Sequence, residues 1–272
     1  MRIGVVAPSS RFSEEAARRV LALAAAEYPN VEIVFHPQCF LTHNHFAGPD
    51  TARAEALVEY ANDPAFDALW FARGGYGSCR FAEAVIAELA VAARDKAYLG
   101  YSDAGFLLAG LYRAGFPNLA HGPMPQDVMR EGGDGAVFRA LSWLVDRSPA
   151  ALEPELTHGI RHAAFNLTVF SHLLGTALEP DLTGHVLLFE EISEHTYRTD
   201  RAMFHVTGNA SVRNVSGIRL GRCSAVPEND PPFVESEEEV VRFWCEKTGI
   251  PWLGRADIGH DSDNKVVPFG VC

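Results

Sequence analysis

The chain has 272 residues, of which 47% are hydrophobic, so about two globular domains with full cores are possible. Its net charge is −12, with 35 acidic against 23 basic residues and no cluster of Lys and Arg. This composition disfavours nucleic acid and anionic membrane surfaces as partners, and no apolar run approaches the ~20 residues of a membrane span.

Short apolar runs alternate with helical patterns through the first half of the chain. The predicted strands are residues 3–7, 31–35, 67–72 and 97–100. The predicted helices are residues 14–28, 51–61, 80–94, 104–114 and 136–147. This alternation predicts a parallel sheet flanked by helices. Ligands of such sheets gather at the carboxyl ends of the strands. The loops expected to carry function are residues 8–12, 73–77, 100–103 and 121–123.

The second half of the chain is less regular. Strands are predicted at residues 185–189 and 217–220, and helices at residues 197–206 and 236–248. Ser236 suits the N-cap of the last helix, because three glutamates follow it in the first turn. Residues 148–162 contain two prolines and little periodicity, which is typical of a linker. We predict an N-terminal domain over residues 1–148, a linker over 149–163 and a C-terminal domain over 164–272.

Ser102 follows the predicted strand 97–100 and precedes a predicted helix, in the segment GYSDAG. A serine at a sharp strand-to-helix turn exposes its hydroxyl at the sheet edge, and the next N–H, here of Asp103, can bind an oxyanion. The segment resembles a nucleophile elbow, except that Ala104 occupies the position of the second glycine. The alternative is an ordinary turn in which Ser102 or Asp103 caps the helix.

Three other segments could carry chemistry. In FARGGYG, the adjacent Gly74 and Gly75 allow backbone N–H groups to converge on an anion, although the segment could simply be a flexible turn. Glu190 follows the apolar run HVLLF and could orient a histidine, or could mark the point where the strand reaches water. His260 lies in a loop that contains Gly259 and is one of eleven histidines.

A cluster of His36, Cys39, His43 and His45 could bind zinc. Its spacing matches none of the common structural zinc patterns, and its residues lie in a loop after a predicted strand. We therefore expect no metal, and this loop could instead line the mouth of an active site.

Taken together, the segments resemble the LD-carboxypeptidase family of serine peptidases, which includes muramoyltetrapeptide carboxypeptidases and microcin-immunity peptidases. The matching segments occur in order along nearly the whole chain. They are IGVVAPSS, AGPDTARAEAL, DALWFARGGYGS, YLGYSDAGFLL, HGPM, NLTVFSHLLGT, HVLLFEEISEHTYRTDR, DIGH and VPFG. A single one of these motifs would be weak, but their joint order and spacing are specific.

The resemblance implies an α/β protein with an N-terminal Rossmann-like (flavodoxin-like) parallel-sheet domain and a smaller C-terminal α+β domain. It implies a catalytic triad of Ser102, Glu190 and His260 between the domains, with no metal and no cofactor. It also implies a homodimer that releases the terminal D-alanine from murein tetrapeptides during cell-wall recycling. Alternatives are a peptidase of the microcin-immunity type, acting on other acylated amino acids, and a non-catalytic binding protein of the same fold.

The general chemistry of such a triad extends the predicted site. The N–H of Asp103, with that of Gly74 or Gly75, is expected to stabilise the oxyanion. The same glycine amides or Arg73 are candidates to bind the terminal carboxylate of a peptide, because a guanidinium pairs well with a carboxylate. The other residues expected to contact the substrate are Tyr76 and Glu194.

Two segments depart from the family pattern. The family usually has Glu-Asp where this chain has Glu190-Glu191, and Gly-Gly-Asn-Leu where this chain has Ala164-Phe165-Asn166-Leu167. Neither departure affects the predicted triad. The odd number of cysteines and their spacing favour a reducing compartment, and the N-terminal apolar run is too short for a signal peptide. We therefore predict a cytoplasmic location, although a secreted protein without its signal would have a similar composition.

Overall fold

The structure is a computed structural model that describes residues 1–271. Its first sheet has six strands in the order β10-β5-β4-β3-β1-β2. Five of them come from the first half of the chain and pair in parallel: β1 (Arg2–Val6), β2 (Glu32–Phe35), β3 (Ala68–Phe71), β4 (Ala97–Gly100) and β5 (Leu119–His121). The last strand, β10 (Val267–Pro268), is antiparallel to β5. The predicted strands of this half are all present, and β5 had not been predicted.

Helices cover both faces of the first sheet, which explains why its central strands are apolar throughout. The helices are α1 (Glu14–Glu27), α2 (Asp50–Asn62), α3 (Ala82–Glu88), α4 (Val91–Arg94), α5 (Gly105–Arg113) and α6 (Gly133–Asp146). Buried side chains of α1 and α6 share one hydrophobic cluster with Ile3, Val5 and Trp70. Those of α2, α3 and α5 share another with Leu69, Phe71 and Tyr98.

The prediction of a single helix over residues 80–94 is wrong. The chain forms a short 3-10 turn, Ser78–Arg80, followed by the separate helices α3 and α4, with extended backbone at Leu89 and Ala90. The side chain of Asn62 explains the break. It accepts a hydrogen bond from the Ala90 N–H at 2.7 Å and donates one to the Glu88 carbonyl at 3.2 Å, so both backbone groups are satisfied outside a helix.

The second sheet has five strands in the order β11-β6-β7-β8-β9. They are β6 (Arg161–Asn166), β7 (His185–Ile192), β8 (Gly217–Ser224), β9 (Trp252–Arg255) and β11 (Gly270–Val271). The first four of these pair in parallel, and β11 is antiparallel to β6. The accompanying helices are α7 (Leu167–Leu173), α8 (Thr196–Gly208) and α9 (Glu237–Thr248). Strands β6 and β9 and helix α7 had not been predicted, since their short segments carry little periodicity.

The end of the chain joins the two sheets. Strand β10 pairs with β5 in the first sheet, and β11 pairs with β6 in the second, with only Phe269 between them. The Phe269 ring packs against Tyr112 and Phe165, with centroids 5.6 and 5.2 Å apart. None of the helices in residues 1–271 has the length and hydropathy of a bilayer-spanning helix.

Candidate active site

Ser102 opens a 3-10 turn, Ser102–Ala104, between β4 and α5, as the sequence predicted for a nucleophile elbow. Its φ is +60°, which is uncommon for a residue with a side chain and must be maintained by the surrounding structure. At Gly100, an added Cβ would lie 2.8 Å from the Phe71 ring, so only glycine allows the strand to enter the turn here. The turn therefore holds Ser102 in a strained conformation at the end of the strand.

A buried network around Asp103 supports this turn. The Asp103 carboxylate accepts hydrogen bonds from the Ser9 hydroxyl at 2.5 Å and from the Ser78 N–H at 2.8 Å. The Ser78 hydroxyl donates to the Asp103 carbonyl at 2.6 Å. The N–H of Asp103 lies in the first turn of its helix, where N–H groups have no partner within the helix. It is therefore available as the predicted oxyanion donor.

The two predicted glycines lie against Ser102 and Ser10. A Cβ added to Gly74 would stand 2.7 Å from both Cβ and Oγ of Ser102, so the backbone of Gly74 directly abuts the hydroxyl. Gly75 has a φ of +111°, and a Cβ there would lie 2.1 Å from the Ser10 hydroxyl. Both positions therefore exclude any side chain. The loop brings backbone rather than side-chain atoms beside Ser102.

Glu190, in strand β7, contacts His260, in the loop that follows β9. Nδ1 of His260 is hydrogen-bonded to the Glu190 carboxylate, although 70 residues separate them in the chain. Glu190 is 0% and His260 8% exposed. Strand β7, predicted to end at residue 189, continues through Ile192, so Glu190 does not mark an exit to water. Burial lowers the pKa of His260, but the carboxylates of Glu190, Asp127 and Glu191, with Glu190 first among them, together outweigh burial and leave the pKa raised.

Arg222, which sequence reasoning missed, clamps the loop that carries His260. Its guanidinium donates to Asp261 at 2.5 and 2.8 Å and to Asp257 at 2.5 Å, on either side of His260. Its backbone N–H also binds the Ile258 carbonyl at 2.8 Å. Arg222 lies at a bulge of β8 opposite Glu190, and bulges beside active sites commonly re-aim side chains. The aspartates flanking His260 were the only sequence signal for such a clamp.

Two cavities lie on either side of Ser102. The smaller one, of about 290 Å³, is also lined by His260, Arg73 and Arg130. The larger one, of about 500 Å³, is also lined by Tyr76 and by residues of α7 and the end of β7. Gly75 lines both cavities. Ser102 therefore lies where a bound chain could pass from one cavity into the other.

The three predicted substrate contacts lie around these cavities. Arg73 lines the smaller cavity and donates to the Arg11 carbonyl at 3.0 Å. Tyr76 lines the larger cavity, half-exposed, with its ring against His45 and Phe46. Glu194 lines the larger cavity and forms an ion pair with Arg198 at 3.5 Å. Each of the three thus lines a cavity that Ser102 also lines, Arg73 the smaller one and Tyr76 and Glu194 the larger one.

Two charged residues at the site were not predicted as ligands. Arg130 lines the smaller cavity, where its Nε donates to Asp127 at 2.9 Å. Glu191 is buried beside the larger cavity. It accepts hydrogen bonds from the Asn166 side chain at 2.7 Å and from the Thr168 N–H at 2.8 Å. Burial and the neighbouring charge of Glu190 raise the pKa of Glu191. Alternation along β7 thus gives the two adjacent glutamates different partners.

A further histidine lies near the pair. His121, at the end of β5, is 1% exposed, and its ring lies 5.5 Å from that of Tyr101, which in turn lies 4.8 Å from His260. Burial lowers the pKa of His121 to about 4. His121 is therefore neutral at pH 7, and it adds no positive charge that would oppose protonation of His260.

Three of the four residues of the possible zinc cluster have separate side-chain partners. The Cys39 thiol donates to the Val5 carbonyl at 3.3 Å, and His36 pairs with Glu59 at 3.3 Å. Nε2 of His45 lies 3.3 Å from the Ser10 hydroxyl. Among residues 1–271, no group of three or more His, Cys, Asp or Glu side chains is arranged to hold a metal ion.

The sequence matches known proteins over both halves. Residues 3–122 match the LD-carboxypeptidase N-terminal domain, and residues 162–272 match the LD-carboxypeptidase C-terminal domain. This chain belongs to the LD-carboxypeptidase family. The match confirms the resemblance identified from the sequence motifs, and this LD-carboxypeptidase family member is therefore a hydrolase of the carboxypeptidase class.

Individual relatives agree with this assignment. A protein of Synechocystis sp., named as an inferred carboxypeptidase, is 31% identical over 88% of this chain and 79% of its own length. The murein tetrapeptide carboxypeptidase of Pseudomonas aeruginosa is 23% identical over 99% of this chain and 91% of its own. This family member therefore matches both relatives over most of their length.

Solved structures share the fold. The muramoyltetrapeptide carboxypeptidase from Oxalobacter formigenes superposes with a TM-score of 0.81 at 21% identity, covering 99% of this chain and 93% of that one. The microcin C7 self-immunity protein, in complex with aspartyl sulfamoyl adenosine, superposes with a TM-score of 0.79 at 19% identity, covering 99% and 91%. The predicted α/β fold class is confirmed. The exact domain boundaries at residues 148 and 164 stay a prediction.

Proposed function

We propose that this LD-carboxypeptidase family member is a serine enzyme that hydrolyses the L,D-peptide bond before the terminal D-alanine of murein tetrapeptides. The observation that carries the proposal is the placement of Ser102, strained at the end of β4, on the wall of the same cavity as His260, whose other side is bound by Glu190. A nucleophile, a base and an orienting carboxylate are the three parts of a serine triad.

The proposed reaction proceeds through an acyl-enzyme. His260 takes the hydroxyl proton of Ser102 as the oxygen attacks the scissile carbonyl carbon. Glu190 stabilises the resulting imidazolium, and the N–H groups of Asp103 and of Gly74 or Gly75 bind the oxyanion. The carbon–nitrogen bond then breaks, and His260 gives its proton to the leaving amine. A water molecule, deprotonated by His260, attacks the ester carbon. The bond between that carbon and the Ser102 oxygen breaks, the oxygen takes the proton from His260, and the acyl product leaves as a carboxylic acid.

The position of His260 supports a proposed role for each of the two cavities. The leaving amine must receive its proton from His260, which lines the smaller cavity and not the larger. The smaller cavity therefore takes the leaving D-amino acid, and the larger one takes the acyl part of the peptide. Arg73 and Arg130 both line the smaller cavity, so we assign them to the terminal carboxylate, which pairs well with a guanidinium.

The test compares the wild type with Ser102→Ala. We expect wild-type enzyme to release the terminal alanine from an L,D-linked tetrapeptide and not from its L,L-linked counterpart, which ends in L-alanine. Ser102→Ala should lower kcat by at least about 10⁴, since loss of a triad nucleophile in serine proteases costs about 10⁶. A fluorophosphonate probe should label the wild type at Ser102 only. Chelation with EDTA should leave the rate unchanged.

The matched control for this test is Ser142→Ala, on α6 and outside both cavities, which should retain wild-type turnover. If Ser102→Ala kept a tenth of the wild-type kcat with an unchanged thermal melt, Ser102 would not be the nucleophile. Preferential cleavage of the L,L-linked peptide would contradict the substrate. The predicted homodimer and cytoplasmic location remain predictions, which gel filtration and cell fractionation can check.

A further inference from the structure

A second, positively charged groove continues from the larger cavity. It is formed by His172, Arg198, Arg201 and His205, which we call the cationic groove, and it encloses about 430 Å³. Arg198, Arg201 and His205 lie at positions i, i+3 and i+7 of α8, so they share one face of that helix. His172 faces them from α7. In a chain with a net charge of −12, this concentration of basic side chains is unusual.

The charges of the groove are only partly compensated. Arg198 pairs with Glu194 at 3.5 Å. Arg201 has no ion-pair partner among residues 1–271, and its guanidinium lies over the Tyr197 ring at 5.5 Å from the centroid. Stacking on an aromatic ring steadies a guanidinium while its N–H groups stay free to bind an anion. The groove therefore contains a positive charge, on Arg201, whose guanidinium is held by stacking and is not neutralised by an ion pair with any of residues 1–271.

The cationic groove is continuous with the substrate site. Thr168, His172 and Glu194 line both the groove and the larger cavity that reaches Ser102. A chain that extends from Ser102 through the larger cavity therefore meets the groove next. Under the proposed function the larger cavity takes the acyl part of the peptide, so whatever enters the groove lies further towards the N-terminus of the substrate.

We infer that the cationic groove binds an anionic group, a carboxylate or a phosphate, carried by the acyl part of the substrate beyond the residue that fills the larger cavity, with Arg201 as its main contact. This inference rests on the proposed function, because that function decides which end of the substrate points into the groove. It makes Arg201 a specificity residue that acts on substrate binding and not on the chemical step.

The experiment uses three L,D-linked peptides that share the same scissile residues. The first carries a free carboxylate on the residue before the acyl residue, the second has that carboxylate amidated, and the third is amidated but carries a phosphate ester at its N-terminus. Arg201→Gln should raise KM about fivefold on an anionic peptide and leave kcat unchanged, since an exposed ion pair contributes little more. On the second peptide it should change KM less than about twofold. Arg201→Lys should restore most of the loss.

The matched control is Arg213→Gln, an exposed arginine that follows α8 and does not line the groove. Its KM should equal that of the wild type on all three peptides. If Arg201→Gln raises KM only on the first peptide, the ligand is a carboxylate. If it raises KM only on the third peptide, the ligand is a phosphate. An equal effect of Arg201→Gln on all three peptides, or no effect on any, overturns the inference.

Direct binding separates this inference from the proposed function. The acyl product of each peptide is titrated calorimetrically into the Ser102→Ala protein and into the Ser102→Ala protein that also carries Arg201→Gln. Turnover without a charge-dependent effect of Arg201 would contradict the groove and support the function. Charge-dependent binding that needs Arg201, in an enzyme that cleaves none of the peptides, would support the groove and contradict the function. If neither turnover nor charge-dependent binding is observed, both the inference about the groove and the proposed function are overturned.

Discussion

The nucleophile side and the base side of the proposed triad are held in place by different forces. Ser102 is held mainly by close packing, because its left-handed backbone lies against the bare backbone of Gly74 and follows Gly100, with the buried hydrogen bonds of Asp103 supporting the turn. His260 is held by charge, because Glu190 binds its ring and Arg222 binds an aspartate on each side of it.

This difference predicts which kinds of substitution should impair the nucleophile side and which should impair the base side. Packing acts over a few ångströms and is insensitive to salt and to pH. Ion pairs depend on the protonation of the partners, and those of Arg222 are partly exposed and therefore screened by salt. Changes of volume should thus disable the Ser102 side, whereas changes of charge should disable the His260 side.

Among substitutions that test what holds the two sides in place, the largest effect is expected from a change of charge without a change of volume. Glu190→Gln removes the carboxylate that stabilises the imidazolium and can favour the wrong tautomer of His260. A comparable substitution in a serine protease triad lowers kcat by about 10⁴. The measurement is kcat on one tetrapeptide, with folding checked by thermal melt. Glu191→Gln is the matched neighbour. It should lower stability, since Glu191 accepts two hydrogen bonds from Asn166 and Thr168, but lower kcat far less.

The pH profile sharpens this prediction. Glu190 raises the pKa of His260, and a general base must be neutral, so wild-type activity should be lost as pH falls through that raised pKa. In Glu190→Gln the pKa should drop and the acidic limb of the residual activity should move to lower pH. An acidic limb at the same pH in both proteins, or a larger kcat defect in Glu191→Gln, would contradict the choice of Glu190.

A change of side-chain volume at Gly74 tests the close packing that holds Ser102. Gly74→Ala places a methyl group 2.7 Å from the Ser102 hydroxyl and must displace it or the loop. Because misplacement of reacting groups by about 1 Å costs about 10²-fold, we expect kcat/KM to fall by 10² to 10³ with an unchanged pH profile. In the control Gly135→Ala on α6, the new Cβ would meet no atom of residues 1–271 within 4 Å. That variant should keep full activity, and a Gly74→Ala enzyme with wild-type turnover would refute the packing argument.

Among these substitutions on the two sides of the triad, the smallest effect is expected at Arg222, which acts on His260 only through the loop. Arg222→Gln frees Asp257 and Asp261 from their clamp, so kcat should fall about 10- to 100-fold with little change in KM. Arg222→Lys should recover only part of the rate, because an ammonium cannot bind both aspartates in the fork geometry of a guanidinium. Arg242→Gln, on the surface of α9, serves as the control. An Arg222→Gln enzyme that loses stability but no kcat would mean that the clamp is purely structural.

Prediction from sequence succeeded where the signal was local. The turn at Ser102 could be read from an apolar strand, a glycine and a following helix within ten residues. It failed where a distant side chain intervened, as at the helix predicted over residues 80–94, which Asn62 divides. It also failed for the extent of β7, because two glutamates inside a buried strand look like its end until their partners are known.

The sequence by itself determined the strand–helix alternation, the glycine loop and the motifs of an LD-carboxypeptidase, because each depends on residues close together in the chain. The family resemblance selected Glu190, but only the tertiary structure shows why this residue and not Glu191 binds His260, since a strand turns successive side chains to opposite sides and its register depends on pairing. It alone placed Arg222 between two aspartates 35 and 39 residues away, and Arg201 in a groove that joins the larger cavity. Contacts of this kind depend on long-range packing, which no local pattern of residues encodes.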